Sequence, residues 1–132
     1  MITATVTAVF QADIQRVWAV VTDNRRIDWR SDLSRVECSP DGSCFTEYTR
    51  EGFPTNFTIT CLQPFERYAF DLQNQNLSGS WTGLFRETAA GTEVKFIEEI
   101  QVKNPMMALL ARVYLKKQQQ RYTADLRKVL GE

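Results

Sequence analysis

Residues Ile2 to Phe10 set Ile2, Ala4, Val6, Ala8 and Phe10 in alternation with Thr3, Thr5, Thr7 and Val9. Period two with β-branched residues predicts a strand with one face buried. Asp13 can then cap a helix in which Ile14, Val17, Trp18 and Val21 recur at helical spacing. That pattern stops near Thr22 to Asn24, and Arg25 to Trp29 reads as either a second short helix or an irregular corner. From Leu33 onward the chain alternates between strand and turn. Strands are predicted over Leu33–Cys38, Cys44–Arg50, Phe57–Leu62, Arg67–Leu72, Ser78–Glu87 and Thr92–Val102. Between the first two of these, Ser39-Pro40-Asp41-Gly42 suits a type I turn with Pro at its second position.

The last stretch is a long helix signalled at both ends. Asn104 is a good N-cap, Pro105 fits the first helical position, and no Gly or Pro follows until Gly131. Gly131 falls where a left-handed C′ residue belongs, behind Arg127 and Lys128 at the negative end of the helix dipole. A helix from 105 to 130 would be roughly 39 Å long, enough to cross a small domain. Its large apolar residues (Met106, Met107, Leu110, Val113, Tyr114, Tyr122, Leu126 and Val129) predict one broad buried face. Arg112, Lys116, Gln119 and Thr123 predict the opposite, wet one.

One strand and one helix, then six strands, then a long helix predict an α+β protein whose helices lie on one face of an antiparallel sheet. A curved sheet of about seven strands around the C-terminal helix would leave a cleft between them. The length of 132 residues suits a single domain over 1–132, with no internal repeat or linker. Lys+Arg and Asp+Glu balance at 16 each, so no bulk field draws the chain toward nucleic acid or an anionic membrane. The opening residues lack the basic and apolar regions of a signal peptide, and no run has the ~18 apolar residues a membrane span needs. A cytoplasmic protein, monomeric or homodimeric, is expected. Of the three cysteines, Cys38 and Cys44 flank a turn, and reduced thiols are expected rather than a hairpin disulfide.

The order β-α-(α)-β6-α resembles the helix-grip fold of the START-like, or SRPBCC, superfamily, which includes polyketide cyclases and lipid-transfer domains. Val17-Trp18-Ala19-Val20-Val21-Thr22-Asp23 is similar to the family's opening, and Gly91-Thr92-Glu93-Val94 followed by Asn104-Pro105 to its close. The likeness covers essentially the whole chain, but its motifs are structural and specify fold better than function. The resemblance implies a hydrophobic cavity between sheet and C-terminal helix, used for a lipid, polyketide, hormone or quinone.

Candidate chemistry therefore belongs on inward faces. In the last strand Val94, Phe96, Glu98, Ile100 and Val102 share one face by period two, which sets a carboxylate among apolar neighbours. Glu98 is thus the candidate ligand-orienting acid or general base, unless it makes a structural hydrogen bond or a bulge turns it outward. Doubling back from Pro105 brings the helix over Glu98 near Tyr114, with Gln118 one turn on. A Glu98–Tyr114 or Glu98–Gln118 contact is expected, with a raised Glu98 pKa because no fixed cation is close. Arg121 and Asp125, four apart, either pair with each other or rim the cavity mouth. Trp29, Tyr68, Trp81 and Phe96 are candidate aromatic walls. Trp81 is favoured because Gly79 and Gly83 leave space beside its ring. The candidate ligand-binding set is Trp29, Tyr68, Trp81, Phe96, Glu98, Tyr114, Gln118 and Arg121.

Several chemistries are excluded. The chain has no His, which removes Ser-His-Asp, Cys-His and His-metal sites, and the cysteines lack zinc-ribbon spacing. No Gly-rich phosphate loop occurs, and no cofactor is expected. Arg25, Arg26 and Arg30 interleave with Asp23, Asp28 and Asp32, which predicts a solvated corner. Three function classes remain: a binding module for an apolar small molecule, with a cavity of about 300–1,000 Å³; a cyclase/dehydratase-type enzyme using Glu98 or a Tyr as general acid or base; and a protein-interaction module with a closed core.

Overall fold

The computed structural model describes residues 1–132. Strand β1 (Ile2–Phe10) is followed by helix α1 (Ile14–Thr22) and by β2 (Leu33–Cys38), β3 (Cys44–Thr49), β4 (Pro54–Gln63), β5 (Arg67–Gln73), β6 (Leu77–Thr88) and β7 (Gly91–Val102). Helix α2 (Ala108–Val129) closes the chain. The strands form one curved antiparallel sheet of seven, in the order β1-β7-β6-β5-β4-β3-β2. Successive hairpins build β2 to β7, and β1 then pairs with β7, its Ile2 opposite Ile100 and its Phe10 opposite Thr92. Irregularities in register between Ile59 and Cys61 and between Leu33 and Arg35 assist the curl, since an extra residue on one strand raises the local twist.

Alternation decides the inner face. Phe45, Phe57, Tyr68, Leu72, Trp81, Phe85, Phe96 and Ile100 join Ile14, Val17 and Val21 of α1 and Leu115, Leu126 and Leu130 of α2's end in one core. Asp13 caps α1 as expected, its side chain accepting from the Arg16 amide at 2.9 Å. Arg25 to Trp29 forms turns and no second helix.

The C-terminal helix differs from expectation in two ways. Pro105–Met107 is a 3-10 turn, and the α-helix begins only at Ala108. Asn104 explains the tighter turn: its side chain accepts from the Met106 amide at 2.9 Å and its carbonyl from Met107 at 3.0 Å. The buried face is only in part the one that the large side chains predict: Leu126 is buried and Tyr122 packs against the core, but the earlier residues of that face do not. Ala111, Leu115, Gln119 and Leu126 point inward, whereas Leu110 is 72 % and Val113 55 % exposed. The middle of α2 is laid along β1 by Gln119 and Lys116, which donate to the carbonyls of Ala4 and Thr5. That orientation turns Met106, Leu109, Leu110 and Val113 away from the sheet. At the far end Gly131 adopts φ 79°, the Glu132 amide donates to Arg127 and the Gly131 amide to Lys128, a Schellman close. The Glu132 carboxylate then accepts from the Gln11 and Ala12 amides, which ties this end to the start of α1.

None of the helices is long and apolar enough to cross a membrane. Cys38, Cys44 and Cys61 are free thiols.

Candidate functional site

Register brings the site together. Glu98 pairs with Ala4 on one side and Trp81 on the other, and Trp81 pairs with Phe70, so a carboxyl and two aromatic rings lie in one row across the inner face. The Trp81 ring stacks on Phe70 at 4.9 Å and on Phe96 at 5.0 Å. Tyr122 of α2 meets Phe96 edge-on at 5.4 Å. These rings wall a cavity of about 190 Å³ between sheet and helix. It is smaller than the expected 300–1,000 Å³ because the aromatic stack occupies the space that the glycines were read as leaving. A Cβ on Gly83 would lie 2.9 Å from the Trp81 ring, so Gly83 accommodates the ring itself. Gly83→Ala is therefore expected to push the ring toward the cavity and cost about 1–3 kcal/mol. Near-UV circular dichroism and a denaturant melt check this; an unchanged Trp signal at unchanged stability would refute it.

Trp29, Tyr68, Trp81, Phe96, Glu98, Tyr114 and Gln118 all line this cavity. Tyr114 is 57 % exposed, so the cavity opens beside it. The Tyr68 hydroxyl accepts from the Asn24 amide at 2.8 Å. Arg121 is not in the lining. It donates to the Ser31 hydroxyl at 2.8 Å, and Asp125 accepts from the Ser31 amide and hydroxyl, so the two neither pair with each other nor rim the mouth. They hold the loop that carries Trp29 and Arg30.

Glu98 does face inward, but no hydrogen bond joins it to Tyr114 or Gln118, and Gln118 reaches Asp32 at 3.5 Å instead. No hydrogen bond within the protein supports the Glu98 carboxyl. Burial pushes its pKa up to about 7, and the Glu47 charge adds to the shift while Arg30 partly opposes it. A cation is thus close after all.

That cation corrects a second expectation. Arg30 lies in the cavity wall and not in a solvated corner. Its Nε and Nη2 donate to the two Asp32 oxygens at 3.0 Å each, and its Nη1 reaches Glu47 at 3.4 Å. The guanidinium also lies 4.8 Å from the Tyr122 ring centre. Burial alone would ease its proton off, but the Glu47 and Asp32 charges outweigh that and hold it above its ordinary value. For Asp32 the balance falls the same way: its burial is outweighed by the Arg30 bonds, and its pKa is lowered. For Glu47 burial wins, and its pKa is raised. The signal for Glu47 was in the sequence: it follows the buried Phe45 at period two, the argument that singled out Glu98.

Gln119, expected on the wet face, is also part of the site. It is 4 % exposed, and its amide nitrogen donates to Ala4 at 2.8 Å and Phe96 at 3.4 Å. Its Oε1 has no partner. The signal was Ala111, Leu115 and Gln119 at steps of four, a stripe whose small Ala111 and polar Gln119 lose to Leu110 and Val113 when size alone ranks a helix face.

A curved antiparallel sheet gripping a long C-terminal helix over a cavity defines the START-like class of proteins. The chain belongs to the polyketide cyclase / dehydrase and lipid transport family, whose model matches residues 1–131. No curated protein matches it. Among solved structures it is similar to protein MLL2253 from Mesorhizobium loti, at 15 % identity and a TM-score of 0.81 over 98 % of this chain and 96 % of that one. A START superfamily protein from Mycobacterium smegmatis is alike at 14 % identity and TM-score 0.81, over 98 % and 97 %. DynU16, from the dynemicin biosynthetic locus, is alike at 15 % identity and TM-score 0.79, but this chain spans only 47 % of it. At such identities these likenesses concern the fold alone.

Proposed function

We propose that this protein binds an apolar small molecule, of the lipid, polyketide or quinone kind, in the cavity between the sheet and α2. The observation that carries the reading is a cavity walled by Trp81, Phe96, Phe70 and Tyr122 with an unpartnered carboxyl in its floor. Apolar walls with a few convergent polar groups are the usual make-up of a small-molecule site. Family membership supports the class of ligand without selecting a member. Cytoplasmic residence and action by a single domain over 1–132 complete the proposal.

A second reading is a cyclase/dehydratase-type enzyme with Glu98 as general acid or base. Its specific support is the Glu98 pKa of about 7, close to the pH at which such a group works best. Ligand binding comes first in either case. Titrating the protein with fatty acids, quinones and aromatic polyketides while following Trp fluorescence and melting temperature tests it. A ligand at a hundred times its Kd should add about 2.7 kcal/mol and raise the melting temperature by about 5–10 °C. If all three classes, and apolar amines titrated beside them, leave both signals unchanged, the binding reading fails.

A further inference from the structure

We infer that the ligand carries a cationic amine head, seated between Glu98 and Gln119, and that apolar carboxylates are rejected at that position. The inference rests on the binding reading above and adds the chemistry of the head group.

Two acceptors meet at this place without donors. Gln119 anchors its amide nitrogen on the carbonyls of Ala4 and Phe96. A flipped amide would aim an oxygen at those carbonyls, so Oε1 stays an acceptor, buried and unpaired. Leaving it so costs about 1–3 kcal/mol, which a ligand donor would recover. Glu98 pairs across the sheet with Ala4 and lies two residues beyond Phe96, so the same two residues bring its carboxyl and the Gln119 amide together. Its carboxyl too accepts nothing from the protein.

Charge then chooses among donors. The ionisable lining with acid or base character comprises Arg30 against Asp32, Glu47 and Glu98, with Asp23 and Arg26 at the outer edge. Arg30 is already engaged by Asp32 in bidentate fashion and by Glu47, so it offers a ligand carboxylate little, while three acids repel one. An ammonium answers both unpaired acceptors and the acidic excess. A neutral hydroxyl would satisfy Gln119 but not the charge. With about 190 Å³ available, the room of about six waters, the head and its first ring fill the cavity.

The test uses one ring with four heads: 1-methylnaphthalene, 1-naphthalenemethanol, 1-naphthylmethylamine and 1-naphthoate, titrated calorimetrically at pH 8. The amine should bind at least about tenfold tighter than the alcohol, a difference of about 1.4 kcal/mol, and the naphthoate should be the weakest of the four. Glu98→Gln should bring the amine down to the alcohol's affinity. Naphthoate binding as tightly as the amine, alcohol matching amine, or an amine preference that survives Glu98→Gln would each overturn the inference while leaving the binding reading standing. If none of the four binds, the cavity-binding reading itself fails, and the head-group inference with it.

Discussion

Replacing Arg30 with Leu should destabilise the protein by about 3–5 kcal/mol at neutral pH, the cost of leaving buried carboxylates without their cation. Asp32 and Glu47 meet on this one guanidinium, at 3.0 and 3.4 Å, with side chains only 13 % and 16 % exposed. Without Arg30 the proton affinity of both carboxyls rises above that of the unfolded chain. The penalty is then greatest at neutral pH and shrinks as acid protonates them. Arg30→Leu combined with Glu47→Gln should recover part of the loss, because one of the two stranded charges is gone. Urea melts of the single and double variants at pH 4 and pH 7 measure this. A single-variant loss below about 1 kcal/mol at pH 7 would show that the cluster is solvated in spite of its burial.

Glu98→Gln should act in the opposite direction. The wild-type carboxyl titrates at about 7 in the folded protein, against an ordinary value of 4.5. Between those two pH values the folded state keeps a proton that the unfolded chain has released. Wild-type stability therefore falls as pH rises through this window and levels off above 7. At about 1.4 kcal/mol for each tenfold of proton affinity, the full loss is about 3 kcal/mol. The amide keeps the shape of the protonated acid and carries no charge. The variant should match the wild type at pH 4 and exceed it by up to about 3 kcal/mol at pH 8. Weaker stability than wild type at both pH values would mean that the carboxylate serves the fold rather than a ligand.

The sequence by itself determined the element order, the antiparallel sheet and the C-terminal end of α2, because those depend on local rules. Period two in β1 and β7, the cap at Asn104 and the left-handed glycine at Gly131 each act within a few residues. Glu98 was legible on the same ground, as a carboxyl on an otherwise apolar strand face. Its surroundings were not. Arg30, Asp32 and Glu47 come from a loop and from β3, and only the closing of α2 over that loop, through Arg121 and Asp125 on Ser31, brings them into the cavity wall. Likewise, which side of α2 is buried was decided by the β1 carbonyls that Gln119 and Lys116 reach, not by the sizes of Leu110 and Val113. A hydrophobic pattern ranks residues by transfer energy along one element. The orientation of a helix on a sheet, and the charges gathered beneath it, are set by partners 80 or more residues away, as with Gln118 on Asp32 at a separation of 86. Only the tertiary structure holds that information.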